Sequence, residues 1–411
     1  MYLQVLDFEQ FKQEQCLEAI CRWAEKRVKV EEASCWGDER DLGWMESVPE
    51  LVTLMSLDGG GIRGLLLIQV LRALQAHLDE PLVNYIDWMA GTSTGSFVAA
   101  ALSLGYDLNY WCASDVNSEF GALPMLQHDQ IFEGWARPYD TAKLEAFMKQ
   151  ELGENVTLAN IQKPKLMITT TKADKHPIQL KLFRNYQAPL ATTEEKEALG
   201  YEDPNELLLW KCLRCSSAAP TYFSSVDKTF IDGGVVANNP TMDLMREVHA
   251  WNSVLEQQGK KAGSCGYKLG CVVSVGTGRI PPTPIEALDF EMAGNPYQSA
   301  LFLKNLAVMF VDQVTAADGG PVERARAWCH SIGVPFFRFS AQMSKDIILD
   351  TTDDKELVQL MWDGVVYVRE QADALKKAAE LLKKIHECKR AGTDTHTSSA
   401  SGDAPAKDMA I

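Results

Sequence analysis

The chain has little cysteine, little histidine and a deficit of positive charge. Ten cysteines among 411 residues are too few for a disulfide scaffold. A chain of this length buries a sizeable core without covalent staples, so the thiols are read as reduced and the protein as cytoplasmic. The first residues, MYLQVLDFEQFKQEQ, lack the basic stretch and apolar run of a secretory signal. Lys and Arg number 40 against 56 for Asp and Glu, a net charge of −16. That balance argues against general nucleic-acid binding and leaves any attraction to a membrane surface to local features. No D-x-[DN]-x-[DN]-G run offers a calcium loop. No repeat of 20–50 residues occurs, and no TPLHxA signature of an ankyrin unit. Trp88 to Tyr106 carries no charge, yet Gly91 to Gly95 interrupts it with polar side chains between glycines. It reads as a buried strand, a tight turn and an apolar helix rather than a membrane span.

Three regions follow from the patterning. Residues 1–50 form an extension: Phe8, Phe11, Cys16, Ile20, Trp23 and Val28 stand at helical spacing, and an acidic connector covers 31 to 49. Residues 51–390 alternate between short apolar strands and amphipathic helices. Leu51 to Leu57, the run entering Gly91, Lys165 to Thr170, Gln179 to Phe183 and Leu269 to Val275 read as strands. That alternation predicts an α/β fold with a mostly parallel central sheet. The polar stretch 187–206, with Pro189 and Pro204, reads as a surface loop. Residues 391–411 are small, polar and aromatic-free, and are expected to be disordered.

The most informative element is Gly91-Thr92-Ser93-Thr94-Gly95, a G-x-S-x-G between a predicted strand and a helix. A nucleophilic serine needs its hydroxyl exposed on a strained turn, and flanking glycines let the neighbouring backbone approach. The following helix brings its amides and positive dipole end to a developing oxyanion. The second element, Asp58-Gly59-Gly60-Gly61-Ile62-Arg63-Gly64, also lies between strand and helix. Gly59, Gly61 and Gly64 formally satisfy the dinucleotide fingerprint G-x-G-x-x-G. Asp58 would repel a pyrophosphate, however, and no second strand ends in an acidic residue at the expected distance. Three consecutive glycines suit an oxyanion hole, with Arg63 adding positive charge, and the serine turn downstream favours that reading. The third element, Phe230-Ile231-Asp232-Gly233-Gly234, can hold a carboxylate in glycine-rich backbone, although Asp-Gly-Gly alone is an ordinary turn.

The residues leave the base open. A triad in the order Ser, Asp, His would recruit His249 or His330 after Asp232; a dyad would have Asp232 take the Ser93 proton itself. An unperturbed carboxyl, near pKa ~4, is a weak base for a hydroxyl, so the dyad requires desolvation. Cys212 and Cys215 form a C-x-x-C with no second pair at zinc spacing, and read as a buried helical face.

Taken together, DGGGIRG at 58–64, GTSTG at 91–95 and DGG at 232–234 resemble the patatin-like phospholipase family. LFRNYQAP (182–189), SSAAPTYF (216–223), VANNP (236–240), VVSVGTGR (272–279) and RARAWC (324–329) look like the catalytic domain of its ankyrin-bearing, calcium-independent phospholipases A2, group VI. The resemblance covers roughly residues 50 to 385. It implies a three-layer α/β/α domain that hydrolyses fatty-acyl esters of glycerophospholipids, releasing free fatty acid and lysophospholipid. It further implies a Ser93–Asp232 dyad without histidine, an oxyanion hole of Gly59, Gly60 and Gly61 with Arg63 close by, and Gly91 and Gly95 as the glycines of the nucleophile turn. No metal and no cofactor are expected. The implied partner is a phospholipid surface that the protein meets peripherally, with a homodimer as a further expectation. Ala300 to Val314 has the apolar content to dip into a lipid interface, and suits a core or dimer helix equally. Gln371 to Arg390, with its paired lysines, suits calmodulin or a membrane surface, or a terminal helix packed on its own domain.

Overall fold

A computed structural model of the chain describes residues 50–108, 140–188, 193–220, 222–257, 266–282, 317–349 and 351–398. The predicted N-terminal helix, the apolar segment 300–314 and the end of the tail lie outside these residues.

The first unit is β1 (Glu50–Leu57), the glycine loop, and α1 (Gly64–Gln75). The second is β2 (Trp88–Thr92), the Ser93 turn and α2 (Thr94–Ser103). α3 (Thr141–Leu152) leads to an antiparallel pair, β3 (Lys165–Lys172) and β4 (Gln179–Arg184). Then come α4 (Thr193–Ala198), α5 (Leu209–Ser216), the short β5 (Phe230–Asp232), a single turn α6 (Gly234–Ala237) and α7 (Thr241–Gln257). β6 (Tyr267–Val275), α8 (Gly320–Ser331), β7 (Phe336–Phe339), α9 (Asp354–Glu370) and α10 (Ala372–Ser398) complete the described elements.

The strands form one sheet in the order β4-β3-β2-β1-β6-β7, with β5 also pairing to β3. β3, β2, β1, β6 and β7 run parallel, while β4 and β5 pair antiparallel with β3. β1 shows why both faces are covered. Leu51, Met55 and Leu57 enter one apolar cluster with Leu66, Leu67 and Leu71 of α1. Val52 and Leu54 point the other way, into a second cluster with Trp88, Leu244, Met245 and Val248. Side chains alternate across a strand, so a sheet covered on both faces has near-continuous apolar strands. The result is the expected α/β architecture with helices on both faces.

Two expectations change in detail. The stretch 187–206 is not all surface loop. The good helix formers of Thr193–Ala198 make a short helix, and Tyr201 beyond it is buried with its hydroxyl donating to Glu247 Oε2 at 3.3 Å. α10 runs past Arg390 to Ser398, beyond the boundary drawn from composition. A single Gly392 costs a helix only about 1 kcal/mol, too little to stop one propagating from strong formers. The apolar face of α10, with Leu375, Ala378, Leu382 and Ile385, is buried in the main core. Lys383 pairs with Asp79, Lys389 with Asp87 and Arg390 with Glu80. Its apolar face and several of its cations are therefore engaged by the domain itself.

Candidate active site

Ser93 stands between β2 and α2 with φ 49° and ψ −123°. A side chain in this positive-φ region costs of order 1–3 kcal/mol and persists only where the surroundings enforce it. Here two glycines do so. A β-carbon on Gly91 would come within 2.5 Å of Gly95 O, and one on Gly95 within 2.3 Å of Leu57 O. Both positions must lack side chains for α2 to close against β1 and β2. The turn is also tied: Ser93 N donates to Ser216 Oγ at 2.8 Å, and Ser96 Oγ donates to Ser93 O at 2.6 Å.

The sheet brings Asp232 to this turn. β2 ends with Thr92 opposite Thr169 of β3. β5 approaches along the same edge of β3 from the opposite direction and ends with Asp232 opposite Thr170. The two strand ends meet at adjacent β3 residues, and Ser93 Oγ donates to Asp232 Oδ2 at 2.8 Å. Gly234 N donates to Asp232 Oδ1 at 2.6 Å, so each carboxylate oxygen has a partner. Burial pushes the Asp232 carboxyl up to about 6, against the lowering effects of the Gly234 amide and the Ser93 hydroxyl. The residue is therefore a stronger base than a free carboxylate while still ionised at neutral pH. His249 and His330, the alternative bases, sit on α7 and α8 and are exposed.

The glycine loop lies directly against the serine. A β-carbon on Gly59 would come within 3.2 Å of Ser93 Cβ and 2.3 Å of Asn238 Oδ1. One on Gly60 would fall 2.2 Å from Thr277 Oγ1. Gly61 has φ +55°, and Leu349 O crowds its side-chain position at 2.4 Å. Thr94 Oγ1 donates to Gly61 O at 3.0 Å, stitching this loop to the start of α2. Gly59 N donates to the carbonyl of Asn238 at 3.2 Å, so that amide is already engaged within the fold. Arg63, the last residue of the turn that follows Gly60, is half-buried.

Several residues around the loop escaped the sequence reading. Thr277 Oγ1 donates to Gly59 O at 2.8 Å. Asp58, fully buried, accepts from Arg338 Nη2 at 2.6 Å and from Asn239 Nδ2 at 3.4 Å. Burial pushes its carboxyl up to about 7, with Arg338 the largest opposing influence. One signal did exist: an arginine inside the apolar run Phe336-Phe337-Arg338-Phe339 demands a buried anionic partner. On α5, Cys212 and Cys215 are buried as expected, and burial drives the Cys215 thiol up to about 12.

A strained serine turn, a braced glycine loop and a buried carboxylate meet at one edge of the mostly parallel sheet of an α/β protein. Residues 55–245, which contain all three motifs, match the family model described as Patatin-like phospholipase. The chain is 41% identical over 332 residues to an intracellular phospholipase A2 of Caenorhabditis elegans, covering 81% of this chain and 29% of that protein. It is 38% identical over 337 residues to an 85/88 kDa calcium-independent phospholipase A2 of Rattus norvegicus, covering 80% of this chain and 40% of that one. A calcium-independent phospholipase A2-gamma of Homo sapiens is 26% identical over 357 residues, again 81% of this chain and 40% of the relative. The chain belongs to the patatin-like phospholipase family. It spans well under half the length of these relatives.

Proposed function

We propose that this domain is a calcium-independent, phospholipase A2-type acyl hydrolase acting on glycerophospholipids through a Ser93–Asp232 dyad. The observation that carries the reading is the 2.8 Å hydrogen bond from Ser93 Oγ to Asp232 Oδ2, made on a strained strand-to-helix turn. Asp232 Oδ2 takes the hydroxyl proton as Oγ attacks the ester carbonyl. The tetrahedral oxyanion is met by the Gly60 and Gly61 amides, with Arg63 in the turn that follows Gly60 and the N-terminal end of α2 beside them. Collapse transfers the Asp232 proton to the departing lysophospholipid oxygen and leaves an acyl ester on Ser93. Asp232 then takes a proton from water as it attacks the acyl ester, returns it to Ser93 Oγ as the acyl–oxygen bond breaks, and free fatty acid leaves. Each step uses groups of this chain alone, and the names of the relatives support both calcium independence and an intracellular place of action. The substrate's physical state makes a phospholipid surface the working partner, met peripherally; among the described residues no helix is long and apolar enough to cross a membrane.

The test is fatty-acid release from phosphatidylcholine labelled separately at the two acyl positions, in excess calcium chelator. Wild type is expected to release the sn-2 label, and Ser93→Ala and Asp232→Asn to release none. A fully active Asp232→Asn would sink the dyad; dependence on added calcium would sink the metal-free chemistry.

A further inference from the structure

The glycine loop has no side chains of its own between Asp58 and Ile62, so its direction is set from its flanks. At the entrance the anchor is Asp58, whose Oδ2 meets Arg338 Nη2 at 2.6 Å. Arg338 is itself held by three further bonds. Nη2 and Nε both donate to Asp318 Oδ1, at 2.7 and 3.1 Å, and Nη1 donates to Ser274 Oγ at 2.9 Å. Ser340 Oγ in turn donates to Asp318 Oδ2 at 3.0 Å. The guanidinium side chain is 6% exposed and Asp58 not at all, while Asp318 is 27% exposed. Asp318 reaches a polar cavity of about 400 Å³ whose wall also includes Asn238 and Asn239. The remaining atom of the anchor, Asp58 Oδ1, is buried with no hydrogen-bond partner.

Stability does not explain such an arrangement. A buried ion pair typically contributes no more than an apolar substitute of similar volume, because desolvation offsets the attraction. Its distinctive property is direction. The planar guanidinium fixes the angle between the carboxylates it bridges, which a flexible ammonium does not. We propose that Arg338, oriented by Asp318, is a positioning residue for catalysis: through Asp58 it holds the Gly59–Gly61 backbone at the distance from Ser93 that oxyanion stabilisation requires. This rests on the loop's role in the proposed hydrolysis. Neither Arg338 nor Asp318 touches the reacting atoms. Both act through Asp58, the residue that precedes the loop.

The test measures hydrolysis of a soluble, monomeric short-chain aryl ester by the full chain, which separates loop geometry from lipid access. Arg338→Lys keeps the charge and loses the fork; a displacement near 1 Å at a reacting centre can cost about 100-fold, and a kcat loss of that order is expected. Asp318→Asn, at a partly exposed position where folding is least threatened, is expected to lower kcat about tenfold while KM stays within about twofold. Asp318→Glu should restore much of the loss. The control is Glu247→Gln, which breaks an equally buried pair: Arg184 Nε lies 2.6 Å from Glu247 Oε2, in contact with Tyr186 and Tyr201 instead of the loop. That variant should lower the melting temperature and leave kcat per folded molecule unchanged. If Asp318→Asn and Arg338→Lys behave like Glu247→Gln, moving only stability, the positioning role is overturned. If wild type hydrolyses no ester, the proposed function falls and this inference falls with it.

Discussion

Replacing Asp232 with Asn separates catalysis from stability in opposite directions. Asn is nearly isosteric, and its amide oxygen must face Gly234 N, which donates to Asp232 Oδ1 at 2.6 Å in the native protein. That choice turns the amide nitrogen toward Ser93 Oγ. A donor then stands where the proton acceptor stood, and the serine hydroxyl must rotate away. Loss of a general base costs about 10²- to 10⁴-fold; since the proposed dyad has this carboxylate also prime the nucleophile, it predicts a fall of about 10³-fold or more in kcat/KM, about 4 kcal/mol of barrier. Stability moves the other way. The native carboxyl is raised by burial from 3.8 to about 6. A group raised in the folded state lends its stability fully below its unfolded value, and loses it as pH rises through its folded value. At about 1.36 kcal/mol per unit, keeping Asp232 ionised costs wild type roughly 3 kcal/mol above pH ~6.5 and almost nothing below pH ~4. Asn carries no such penalty. Asp58 titrates alike in both proteins and cancels. Urea unfolding of the two proteins from pH 4 to pH 8 reads the difference, which should grow toward Asn by roughly 2.5 kcal/mol across that span. A pH-independent difference would refute the claim that a buried, charged Asp232 is the base, as would a variant retaining a tenth of wild-type activity.

Three other outcomes follow from the geometry. Gly60→Ala places a methyl 2.2 Å from Thr277 Oγ1; the loop must shift, and kcat should fall by about 10²–10³, the loss typical of one oxyanion donor, with the melting temperature changing far less. The proposed dyad predicts that both Ser93→Ala and Ser93→Gly abolish hydrolysis, but Ser93 sits at φ 49°. Glycine should therefore be the more stable replacement by about 1 kcal/mol in denaturant unfolding, and equal stability would mean that the turn is unstrained. Burial lifts Cys215 and Cys329 to about 12 and Cys212 well above its ordinary value. Mass spectrometry after brief alkylation at pH 8 should find these three unmodified in the native state and labelled in urea; rapid native labelling would contradict their placement in the core.

Much of the fold was legible because its cues are local. The apolar runs feeding Gly59 and Gly91 are strands in the structure, and the helices follow the glycines at once, since a parallel sheet needs a crossover after each strand. Tyr201 was not legible. Its neighbours are polar, and it is buried only because Glu247 and Arg184, from α7 and β4, offer its hydroxyl and ring a partner. Arg338 could be suspected from its apolar neighbours, but nothing nearby in sequence identified Asp58 or Asp318 as its counterparts. The Gly59 amide belongs with these: its bond to the Asn238 carbonyl joins two glycine-rich turns whose proximity no spacing encodes.

The proposed nucleophile was a property of the sequence alone. The turn at Ser93 depends on residues two positions either side of it, and a backbone constraint of that range is written in adjacent letters. The carboxylate that accepts its hydrogen bond was decided by the tertiary structure. Asp232 lies 139 residues away and meets Ser93 because β2 and β5 end head to head on one edge of β3. Its basicity depends on the same event, since water is excluded from a carboxylate only when the sheet and helices close around it. The brace on the glycine loop spans 280 residues, from Asp58 to Arg338. Strand register sets such pairings, and register is chosen by the packing of the whole sheet.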